Sequence, residues 1–136
     1  MIMRKTSAGF TLVEVMLALL LLAIGVLAAA PMFVYAMKGN AGAGDFGVVG
    51  ALAVERMELL RGEDYSDLDA GGSLTANTTV GGVDYFDTSN DGYVLRWTIA
   101  DGSPIANTKT IAVRAVALRQ VIGQQKEVTL TTVRGR

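Results

Sequence analysis

Glu14 is the only charged residue between Lys5 and Lys38, and it heads a run of 23 residues, Val15 to Met37, that carries no charge. An ionised carboxylate taken into hydrocarbon costs about 2.5–3.5 kcal/mol on the insertion scale, so an acid at this place calls for a cation to answer it. The chemistry on offer is charge pairing, not bond breaking. The chain has no histidine and no cysteine, which removes Ser-His-Asp and Cys-His catalysis and the usual zinc sites. No glycine-rich phosphate loop precedes a helix with a lysine. An enzyme is therefore not expected. Asp87-Thr88-Ser89-Asn90-Asp91-Gly92 has the opening of a calcium loop, but the position that should close it with a glutamate holds Thr98. The stretch reads as a turn, and neither a metal nor a cofactor is expected.

The element that must carry Glu14 is a helix. At 1.5 Å per residue the charge-free run would reach about 34 Å, enough for a hydrocarbon core of about 30 Å. Arg4 and Lys5 precede it and Lys38 comes after it, which favours an inward N-terminus. A cleaved secretory signal fits less well. Ala28-Ala29-Ala30 offers small residues, yet the apolar run continues through Tyr35 and Glu14 sits where such a signal is apolar. Pro31 lacks a backbone donor and crowds the preceding turn, so a kink is expected there. Gly25 and Ala29 form a small-x-x-x-small pair that suits close helix packing.

Past Met37 the pattern changes. Five glycines (Gly39, Gly42, Gly44, Gly47, Gly50) read as a linker and predict a weak or broken helix over 39–47. Helical spacing returns at Val49, Leu52, Ala53, Met57 and Leu60, and Gly62 is placed to cap its end. The C-terminal stretch, 63–136, is short and has no disulfide to staple it, so its sheet should rest on the helix of 48–61. Tyr93–Ile99 alternates, with Tyr93, Leu95, Trp97 and Ile99 on one face. Thr110–Leu118 and Glu127–Val133 read as two more strands of an antiparallel meander, with turns at 100–104 and 123–126. Residues 64–91 are polar and turn-rich, with short strands near Leu74–Val80. The fold class is thus α+β: a long N-terminal, partly transmembrane helix packed on a small antiparallel sheet. Charge is split, with a net of −7 over 55–101 and +5 over 102–136. Near-neutrality overall gives no sign of nucleic-acid binding.

Gly9-Phe10-Thr11-Leu12-Val13-Glu14, after a short basic leader and before a charge-free run, resembles the N-terminus of the type IV pilin and pseudopilin superfamily. The resemblance implies a leader peptide at 1–9, removed between Gly9 and Phe10 by a prepilin peptidase that then methylates the Phe10 amine. It implies a transmembrane and filament-core helix at 10–37, a glycine-rich second half at 38–62 and a sheet domain at 63–136. In that family the acid matching Glu14 pairs with the N-terminal amine of a neighbouring subunit, here Phe10. Pro31 matches a common pilin proline, in a region that can unwind in assembled pili. Lipid comes first as a partner, then an inner-membrane assembly platform and other pilin or pseudopilin subunits. The implied location is the inner membrane, single-pass with the N-terminus cytoplasmic and the C-terminal domain periplasmic, then the pilus or pseudopilus. The soluble part is similar to minor pilins of the PilV type, though it lacks the disulfide many pilins have. A type II secretion minor pseudopilin is the alternative, and a monomeric membrane-anchored binding domain is an alternative of another class.

Overall fold

A computed structural model of the chain describes residues 9–121 and 123–136. The leader expected at 1–9 falls, but for Gly9, outside the described residues. The chain divides into a unit ending at Met37 and a second unit, Lys38–Arg136.

One helix, α1 (Leu12–Gly62), is the principal element of the first unit and continues into the second. Its start is set by Thr11, whose hydroxyl and carbonyl both accept the Glu14 N–H, at 3.2 and 3.1 Å. That places Thr11 as the N-cap. In the first unit every residue from Leu12 to Met37 is exposed except the partly buried Ala29. This stretch is long and apolar enough to cross a membrane. Pro31 lies inside the helix.

The second unit corrects the expectation of a break in the helix over 39–47 and that of a glycine cap at Gly62. The helix is unbroken through Gly39–Gly50, although each glycine costs about 0.8–1.0 kcal/mol relative to alanine. Tertiary packing overrides that cost, because Gly42, Asp45, Val49, Ala53, Met57 and Leu60 form one buried stripe. Gly62 is the last helical residue but does not take a left-handed φ. The helix stops without the glycine cap expected there.

Among the described residues seven strands come after the helix: β1 (Gly71–Gly72), β2 (Thr79–Val80), β3 (Val83–Asp84), β4 (Phe86–Asp87), β5 (Tyr93–Asp101), β6 (Thr108–Val121) and β7 (Gln124–Gly135). The main sheet runs β1-β5-β6-β7, with β4 also pairing β5, and all these pairs are antiparallel. Register is fixed through Trp97↔Val113 and Val113↔Leu130. The three long strands are the expected meander, each longer than its apolar alternation suggested. In the chain between β1 and β4, β2 and β3 make a separate hairpin, turned by Gly81 and Gly82 at φ 59° and 86°. Positive φ at both central residues is what a tight hairpin turn demands.

The core lies between α1 and one face of the main sheet. Met57 and Leu60 pack with Leu68, Tyr85, Trp97, Ile99, Ile111 and Val113. Val49 and Ala53 pack with Leu95, Ala115 and Ala117. Burying side chains of this size contributes about 1.5–3 kcal/mol each for the larger ones. Arg56, on the same helix, lays its guanidinium 3.8 Å from the Trp97 ring centroid, a cation–π contact.

Candidate functional site

Along the first unit, the residues expected to do chemistry fall on one side of the helix start. Phe10 and Glu14, four residues apart, line a shallow groove of about 320 Å³ together with Val15, Ala18, Leu19 and Leu22. Phe10 is 83% exposed. Gly9 precedes the helix and is exposed as well, so the Gly9–Phe10 peptide bond sits on irregular backbone. Thr11 is the residue that sequence reasoning missed. Thr11-x-x-Glu14 has the capping-box signature, in which the threonine caps and the glutamate can bond back to the cap's own N–H. Only the first half forms here: the Glu14 N–H is capped, while its carboxylate has no hydrogen bond or ion pair among the described residues.

This geometry leaves one anion, held at the head of an uncovered apolar helix, without a cation of its own among the described residues. Its surroundings are apolar apart from the carboxylate itself. Gly25 has no atom near the place a Cβ would occupy, so no described part of this chain needs its small size.

The second unit holds a different polar constellation. Asp45 is 5% exposed in spite of its charge. Arg119 donates to it twice, Nη2 to Oδ1 at 2.7 Å and Nε to Oδ2 at 3.1 Å. The Tyr93 hydroxyl donates to Oδ1 at 3.3 Å. This is the bidentate arrangement that a planar guanidinium suits. The hydrogen bond from Arg119, with the Asp45 charge behind it, raises the arginine's already high pKa. Nothing local in the sequence marks Asp45, but extending the apolar stripe four residues back from Val49 lands on it.

Much of the split charge is spent within the unit. Of the six bases in 102–136, Arg119 binds Asp45, Arg114 binds Glu127, Arg134 binds the Glu63 carbonyl, and Lys109 binds Asp101 at 3.4 Å and the Leu68 carbonyl. Asp87, from the calcium-like stretch, accepts the Ser89 N–H at 2.8 Å. That backbone bond, then the Ser89 hydroxyl, then a smaller pull from Arg56, hold its pKa below the usual carboxylate value. The stretch is a turn built around Asp87. Among the described residues no three acids, histidines or cysteines gather to hold a metal.

The model of the prokaryotic N-terminal methylation motif matches residues 4–30 of the chain. Neither a curated protein nor a solved structure matches the chain. The motif, the long N-terminal helix and the antiparallel sheet together fit a type IV pilin-like fold. The motif implies processing by a prepilin peptidase and pilin-type assembly, and its family is structural, not enzymatic. The apolar helix fits membrane anchoring of such a protein.

Proposed function

We propose that the chain is a minor pilin-like subunit of a type IV pilus. It is inserted in the inner membrane with its N-terminus cytoplasmic and its sheet unit periplasmic. A prepilin peptidase cuts between Gly9 and Phe10 and methylates the Phe10 amine. The subunit then enters a filament through its N-terminal helix, with Glu14 answering the Phe10 amine of a neighbouring subunit.

The observation that supports this reading is the carboxylate of Glu14, which has no partner among the described residues, on a helix face that is otherwise apolar and exposed. Cleavage would create a cation at Phe10 on that same face. A neighbour that supplies it offsets the desolvation of both charges, and a neighbour that lacks it leaves a buried charge alone, which is strongly unfavourable. A tethered binding domain gives Glu14 no task.

The test compares the wild-type chain with Glu14→Ala in cells that make fibres. The expected result is that both are processed and found in the membrane, while only the wild type is recovered in sheared fibres. Recovery of Glu14→Ala in fibres at the wild-type level would refute the pairing.

A further inference from the structure

We propose that residues 39–47 of α1 are a conditional helix, latched by Arg119 on Asp45, which uncoils when the latch opens. This inference does not depend on the filament role; it concerns the second unit alone.

Two independent observations carry it. The first is how little holds the segment. Between Lys38 and Val48 the only buried residues are Gly42 and Asp45, and Gly42 has no side chain to pack. Phe46, the one large apolar residue there, is 55% exposed. The Asp45 carboxylate, bonded to Arg119 and Tyr93, is therefore the one side-chain anchor over more than two helical turns. Its main partner is weakly shielded, since the Arg119 side chain is 62% exposed.

The second observation is what the glycines fail to do. At Gly39, Gly44 and Gly47 an added Cβ would meet no atom within 4 Å. None of the three is required by close packing among the described residues, and all three weaken the helix. Glycine at these positions serves the unwound state, to which it gives the most freedom. Low helical propensity with a single polar anchor describes a segment at the low-stability end of its fold. The next turn differs, because Val49 and Ala53 are fully buried and hold the helix from there onward.

Opening changes reach. Nine residues span about 14 Å as helix and up to about 30 Å when extended. The latch thus stores slack at the head of the second unit, released without disturbing the core of Met57, Leu60 and Trp97.

Hydrogen exchange on the full chain in detergent micelles tests this. Arg119→Met should speed exchange of amides 40–47 by about tenfold or more, while amides 53–60 change by less than about twofold. Adding Gly39→Ala, Gly44→Ala and Gly47→Ala should return 40–47 toward the wild-type rate. The same three alanines in the otherwise wild-type chain should slow 40–47 by about tenfold and leave 53–60 alone. The proposal is overturned if Arg119→Met leaves 40–47 unchanged, if both segments accelerate together, or if the alanines have no effect in either background.

Discussion

Arg119 grips Asp45 through Nη2 and Nε of its guanidinium across 74 residues of sequence, at 2.7 and 3.1 Å. The pair joins the glycine-rich turns of α1 to the strand that ends at the β6–β7 hairpin. Between Val116 and Gln120 the β6–β7 register shifts, and the irregularity falls where Arg119 must turn toward the helix. Bulges commonly re-aim a side chain in this way.

The pair's energetics predict an asymmetry among variants. Arg119→Met leaves a buried carboxylate with only the Tyr93 hydroxyl, whereas Asp45→Leu with Arg119→Met removes both charges together. Unpaired buried charge is the costly state. The double variant should therefore be more stable than Arg119→Met alone, as read by urea denaturation of the second unit's far-ultraviolet signal. A double variant less stable than the single one would contradict the geometry.

Two glycines with positive φ should respond very differently to substitution. At Gly72, φ is +89° and an added Cβ would lie 2.2 Å from the Trp97 carbonyl oxygen, so Gly72→Ala should cost about 3 kcal/mol or more through strain and lost β1–β5 pairing. At Gly81, φ is +59° and the space is open. Gly81→Asn should cost under about 1 kcal/mol, because asparagine tolerates this region. Thermal midpoints of the two variants decide the matter.

Tyr85 sets a limit at alkaline pH. Its hydroxyl donates to the Asp69 carbonyl at 2.9 Å. Burial first, and the Asp69 charge second, raise its pKa above 10.0. The unfolded chain ionises this phenol near pH 10 while the folded chain resists. Its contribution is therefore complete below pH 10 and is lost as pH rises from 10 toward the folded value. Tyr85→Phe should cost about 1 kcal/mol at neutral pH from the lost hydrogen bond. It should also flatten the fall in stability as pH rises above about 10. Parallel alkaline slopes for the two proteins would rule out this role.

Legibility in the sequence tracked the strength of the repeating pattern. The alternation at Tyr93–Ile99 and the apolar spacing of Val49, Ala53, Met57 and Leu60 were enough to place one helix on one antiparallel sheet. The continuity of α1 was not legible, because local propensity at five glycines argued against it. What wins is tertiary packing of the buried stripe, including Asp45, whose partner Arg119 lies far along the chain. The β2–β3 hairpin had a readable signal in Val80-Gly81-Gly82-Val83, a two-glycine turn between β-branched residues. Of the candidate site, Glu14 stood out by its charge at the head of an apolar run, whereas Gly9 and Phe10 were singled out by the resemblance to pilin N-termini. Thr11 was hidden only because a capping role needs the helix start to be known. Asp45 was hidden because its partner is remote.

The most direct test of the filament account is the intact mass of the protein extracted from cell envelopes. The account predicts residues 10–136 carrying one additional methyl group on Phe10. A mass corresponding to residues 1–136 in the native envelope, with no methyl group, would contradict it, since Glu14 would then have no neighbouring amine to meet.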